Sequence, residues 1–170
     1  MKYLSQFLLF LLSLSFLAGC TSIDCPLDNV VMMQCNFYST ETQTPMKLNH
    51  ILTVKPAGHD TILLNQITAV ESILLPLQEG ADQDTLLLHF TSQTGQEATD
   101  TLFVTHSRHP HFESLDCPTS VFHQISSARV TSHTLSALPL TTDSVSIIRS
   151  LVDYNDIENI RIFLRSTRSE

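Results

Sequence analysis

"TLLLHFTSQTGQEATDTLFVT", residues 85–105, changes character at every step: Leu86, Leu88 and Phe90 fall on one side of an extended chain, Thr85, Leu87 and His89 on the other. The alternation resumes after a polar stretch, with Leu102 and Val104 opposed to Thr101, Phe103 and Thr105. Side chains two apart share a face in a strand, not in a helix. Two such runs joined by a short polar segment that contains a glycine form a hairpin. The stretch therefore predicts antiparallel strands from Leu86 to Val104, turning at Gln93-Thr94-Gly95.

The same period of two recurs on either side. Leu48, His50, Leu52 and Val54 alternate with Lys47, Asn49, Ile51, Thr53 and Lys55, and Ile160, Ile162 and Leu164 alternate with Arg161, Phe163 and Arg165. Turn signals fall at 55–60, 78–82, 92–96 and 139–143, a spacing that suits about eight or nine short strands. Helix is scarce, its best candidate being a turn or two around Ser150–Glu158. These patterns predict an all-β fold, an antiparallel two-layer β-sandwich, with a small closed β-barrel as the alternative. The sandwich is preferred because the inward residues are large and branched and the whole chain has 4 Gly, whereas tight barrels curve their sheets with small residues. One β-rich domain is expected over residues 28–166, followed by a tail at 167–170.

The chain opens differently. Lys2 is followed by residues 3–18 without a charge. That run is short of the about 20 apolar residues a spanning helix needs and suits a secretory leader, whose apolar region is roughly 7 to 15 long. Leu17-Ala18-Gly19-Cys20 resembles the lipobox of bacterial lipoproteins, which implies cleavage after residue 19 and lipid on the Cys20 thiol. Residues 1–19 would be the signal peptide and 20–27 a lipidated tether. One acyl chain anchors only marginally, but two or three, palmitate among them, hold a protein on a membrane. Thr21 is not the aspartate that retains many such proteins at the inner membrane, so an outer-membrane location in the cell envelope is expected.

Charge narrows the partners. The chain has 9 Lys and Arg against 17 Asp and Glu, and removal of the leader takes one lysine and no acid. Nucleic-acid binding requires Lys and Arg to neutralise phosphates, so no nucleic-acid partner is expected. The expected partners are the membrane, through the N-terminal anchor, and an envelope protein.

Beyond Cys20, cysteines stand at 25, 35 and 117. Ile23-Asp24-Cys25-Pro26 and Leu115-Asp116-Cys117-Pro118 are nearly one tetrapeptide used twice, each proline pushing its cysteine toward an extended conformation. A Cys25–Cys117 disulfide is the preferred pairing, closing a loop of about 90 residues for roughly 4 to 5 kcal/mol. A Cys25–Cys35 bridge and three free thiols remain alternatives. Cys35, inside an apolar stretch, reads as a buried small hydrophobe.

With Leu17–Cys20, Asp24-Cys25-Pro26, Leu74-Leu75-Pro76-Leu77, Pro110-His111-Phe112, Ser114–Cys117 and Glu158–Ile162, the chain resembles a family of small, uncharacterised cell-envelope lipoproteins of gut-associated Gram-negative bacteria. The resemblance spans nearly the whole mature domain and implies no activity.

Chemistry must then come from the residues themselves. His106, His109 and His111 lie within six positions, with Glu113 and Asp116 following, and could ligate a transition metal. The plainer reading is a polar loop leaving a strand at Pro110. Asp153-Tyr154-Asn155-Asp156-Ile157-Glu158 clusters oxygen ligands but lacks the glycine and spacing of an EF-hand, and reads as a solvated turn set by Asn155 and Asn159. No Gly-x-Ser-x-Gly, His-Glu-x-x-His or phosphate-cradling glycine loop occurs, so neither catalysis nor a cofactor is expected. The function that fits best is a membrane-anchored structural or protein-interaction module, with a metal-binding envelope protein as the alternative.

Overall fold

The computed structural model describes residues 30–114 and 117–167. Among them the regular structure is entirely β: β1 (Met33–Ser39), β2 (Ile51–Pro56), β3 (Leu64–Ile67), β4 (Ser72–Leu75), β5 (Gln83–Thr91), β6 (Glu97–His111), β7 (Ser120–Thr131), β8 (Leu140–Ile147), β9 (Leu151–Val152) and β10 (Glu158–Ser166). They form a four-stranded sheet in the order β4-β1-β10-β8 and a six-stranded sheet in the order β3-β2-β5-β6-β7-β9. The fold is thus an all-β two-layer sandwich, one of its sheets curled like half a barrel.

The period-two runs bury the faces they predict. Leu52 and Val54, Leu86, Leu88 and Phe90, Leu102 and Val104, and Ile160, Ile162 and Leu164 all point between the sheets, joined by Met33, Cys35 and Phe37 of β1 and Ile73 and Leu75 of β4. Each large side chain buried in this way contributes about 1.5–3 kcal/mol. The β5–β6 hairpin closes as expected. Gly95 takes φ +81°, a left-handed conformation open to glycine, and donates its N–H to Ser92 O at 3.0 Å, while Ser92 donates to Gln96 O at 2.8 Å.

Four expectations are corrected. β1 and β10 pair in parallel, so the smaller sheet is mixed rather than antiparallel throughout. The segment Ser150–Glu158 is not helical: it holds the short strand β9, which pairs with His123 and Gln124 of β7, and then a turn. The turn signal at 139–143 falls largely inside β8. Finally, Pro110 does not end β6, which runs on to His111 with Pro110 opposite Val121. Ladder partners on the β5 side stop at Thr105, so beyond His106 that side of β6 has no strand neighbour among the described residues, and a residue without an N–H is tolerated there.

One irregularity shapes the site. The β6–β7 ladder shifts register between Thr105 and His106, leaving Ser126 without an opposite residue. Ala128 and Val130 pair with the inward Val104 and Leu102, yet past the bulge Ile125 and His123 pair with His106 and Arg108. The extra residue transfers the inward-facing role on β7 from even to odd positions.

Candidate functional site: a buried carboxylate–histidine chain

Past the bulge three ionisable side chains meet inside the sandwich. Asp84 belongs to the inward row of β5 that continues as Leu86, Leu88 and Phe90, His106 extends the inward row of β6, and His123 sits on β7. All are at most 2 % exposed. His106 Nε2 lies 2.8 Å from Asp84 Oδ2, and His106 Nδ1 lies 3.1 Å from His123 Nδ1. The imidazoles meet edge to face, with centroids 4.7 Å apart.

The geometry constrains the protons. Two Nδ1 atoms in hydrogen-bond contact share one hydrogen, so at most one of the two rings is imidazolium. Burial, reinforced by His106 and only partly offset by Asp84, lowers the His123 pKa from 6.5 to about 4, so the His123 ring is neutral near neutral pH. The chain aligns His123 as a carboxylate–histidine pair aligns a catalytic or metal-bound imidazole, but at that pKa its ring is a weak base.

The turn after Leu77 covers the Asp84 end of this chain. Asp84 Oδ2 also accepts the Gln78 N–H at 3.1 Å, His106 donates its backbone N–H to Asp82 O at 2.9 Å, and Arg108 donates to Glu79 O at 2.7 Å and Asp82 Oδ1 at 2.8 Å. Beside it opens a cleft of about 270 Å³ lined by Pro56, His59, Thr61, Leu63, Pro76, Leu77, Gln78 and Asp84.

A second buried carboxylate is structural. Asp100 accepts the His133 N–H and Nδ1 at 2.6 Å each, the Thr142 N–H at 2.7 Å and the Thr141 hydroxyl at 3.5 Å. It ties β6 of one sheet to β8 of the other. His133 Nε2 is buried without a hydrogen-bond partner among the described residues.

The sequence-predicted positions separate. His106 faces the core, whereas His109 and His111 lie on the opposite face. His109 Nε2 contacts Ser107 Oγ at 3.1 Å, and His111 stacks on Phe122 at 4.3 Å, with Tyr154 edge-on to both rings. Glu113 is exposed and Asp116 lies outside the described residues. Among the described residues no three or more His, Cys, Asp or Glu side chains gather as a metal would require.

Asp153, in the acidic segment, is bound by Arg149 at 2.6 and 3.0 Å and caps the Asn155 N–H at 2.9 Å, and the guanidinium holds its carboxyl down at about 2. Asn159 is more than a turn residue. Fully buried, it accepts the Gln34 N–H at 3.0 Å and donates to Arg149 O and Leu151 O at 3.1 and 2.8 Å.

Cys20 and Cys25 lie outside the described residues. Cys117 Sγ accepts the Ser114 hydroxyl at 3.2 Å. Cys35 is buried as expected, its thiol pushed up to about 12 by desolvation. No helix among the described residues is long and apolar enough to cross a membrane.

Sequence reasoning missed Asp84, His123 and Asp100. The available signal was the parity of Asp84 and Asp100 with their strands' apolar rows; His123 gave none, because the bulge resets the count.

No curated protein and no solved structure matches the chain. The model of a family of unknown function, DUF6452, matches residues 51–164. That match runs from the first residue of β2 into the last strand and takes in Asp84, His106 and His123, and the chain belongs to this DUF6452 family.

Proposed function

We propose that the protein is a cell-envelope lipoprotein, acylated on Cys20 and held at the outer membrane, whose sandwich acts as a docking module for another envelope protein. The lipobox-like Leu17–Cys20 and the resemblance to small lipoproteins of gut-associated Gram-negative bacteria support the anchor. A Cys25–Cys117 bridge would tie the tether to the domain; Cys35 is the free thiol among the described residues and Cys117 is not.

The observation that carries the docking reading is an apolar corner beside an open strand edge. Ile147, Ile148 and Ile157 are 37 %, 48 % and 50 % exposed. Ile148 and Arg149 donate their N–H groups to Asn159 O, which brings the end of β8 to the chain just after Ile157. β8 ends the four-stranded sheet there. Its first half is engaged by Ser132 and Asp100 and its inner side pairs with β10, so the outer side of Ser144–Ile147, which has no neighbouring strand among the described residues, is where an extended segment with apolar side chains could add.

The test places a photocrosslinker at position 148 of the full chain in its native envelope. One discrete adduct, lost on Ile157→Asp and absent when the probe is moved to the outward Thr99, supports docking. Equal labelling from both positions, or no adduct from either, overturns it. Intact mass spectrometry of the membrane-extracted protein tests the anchor: a Cys20 terminus carrying a diacylglyceryl group is expected, and an unmodified thiol refutes it.

A further inference from the structure

We propose that the cleft over Asp84 is a binding site for a primary ammonium group carried on a short aliphatic stem, separate from the corner at Ile148. Asp84 is 1 % exposed, and its Oδ2 is occupied by the Gln78 N–H and by His106 Nε2. Its Oδ1 has no hydrogen-bond partner among the described residues, nor is it one of the sealed polar atoms. Asp84 lines the cleft, and a cation seated there would meet its carboxylate through Oδ1, the oxygen that neither Gln78 nor His106 holds. Whether His106 carries one proton or two, its bond reaches Oδ2 and leaves Oδ1 open. Arg108, the neighbouring cation, is held on Glu79 O and Asp82.

A carboxylate in surroundings of low dielectric attracts a cation far more strongly than one in water. The remaining surfaces select which cation. Pro56, Leu63, Pro76 and Leu77 give apolar walls, while His59 and Thr61 supply the polar side groups. A site of about 270 Å³ accommodates a short alkyl stem, and apolar walls with one placed polar group are the usual make-up of a small-ligand pocket. A guanidinium uses its planar fork best on two carboxylate oxygens, and here one is taken. An ammonium is a point donor that one oxygen satisfies. Free alkylamines and the lysine side chain of a polypeptide share this chemistry.

Calorimetric titration of the full-length, membrane-extracted protein tests the site. n-Pentylamine should bind saturably and at least about tenfold more tightly than n-pentylguanidine or pentan-1-ol. Asp84→Asn should weaken the amine at least about tenfold and leave pentan-1-ol unchanged. Because Asp84 also holds Gln78 and His106, Leu63→Trp provides a variant that fills the cleft and leaves the carboxylate intact; it should abolish binding of the amine. Equal affinity for the three probes, full affinity in Asp84→Asn, or retained amine binding in Leu63→Trp overturns the proposal. Gly-Lys-Gly and Gly-norleucine-Gly separate the sources. Binding of the lysine peptide more tightly than pentylamine supports a polypeptide ligand, and the reverse order supports a free amine.

Discussion

At the scale of single residues, the sandwich is marked by buried carboxylates whose oxygens are used unequally. Asp100 has both oxygens engaged, one on His133 and the other on Thr142 and Thr141. Asp100→Ala would leave the buried Thr142 N–H and the part-buried His133 N–H without their acceptor, a buried orphan donor costing about 1–3 kcal/mol, so a loss of about 2–3 kcal/mol is expected in urea unfolding. His123 acts through pH. Its folded pKa of about 4 lies below the ordinary 6.5, so the unfolded chain binds the proton more readily. The stability tied to this group is fully present above pH 6.5 and is lost as pH falls through 4, on the order of 3 kcal/mol in total. His123→Gln should flatten that part of the pH–stability curve; an unchanged slope between pH 6.5 and 4 would show that the group does not titrate as its burial requires.

At the scale of elements, the hairpin turns and the bulge matter most. Gly95 closes the β5–β6 turn at φ +81°, and a Cβ added there would meet nothing within 4 Å, so Gly95→Ala should cost about 1 kcal/mol from backbone strain alone. Gly80 has equal space without the left-handed φ, and Gly80→Ala should be neutral or stabilising by about 0.5 kcal/mol. Thermal unfolding of the two variants separates conformation from contact. The β6–β7 bulge has a different consequence: by adding Ser126 it turns His123 inward beside His106, so the buried chain depends on an irregularity as much as on residue identity.

For the whole molecule, the parallel pairing of β1 with β10 brings the two ends of the domain together at the centre of the smaller sheet, beside the buried Cys35. A disulfide from Cys25 to Cys117 would add a second long-range tie. Cys25→Ser should then lower stability by about 4 kcal/mol and make Cys117 open to alkylation, whereas Cys35 should resist alkylation until the protein unfolds. Reactivity of Cys117 in the unreduced native protein would remove the bridge. The period-two runs at 48–54, 86–90, 102–104 and 160–164 told which residues are inside, because a strand with one wet face must alternate, and the hairpin at Gly95 and the burial of Cys35 were legible for the same reason. What the amino-acid order determined by itself was therefore the class of the fold and most of its core. Three things were decided only in three dimensions: the parallel partner of β1, the passage of β6 through Pro110, and the meeting of Asp84, His106 and His123. Which strand neighbours which, and where a bulge reverses a face, depends on contacts between residues far apart in the chain, and local periodicity does not encode them.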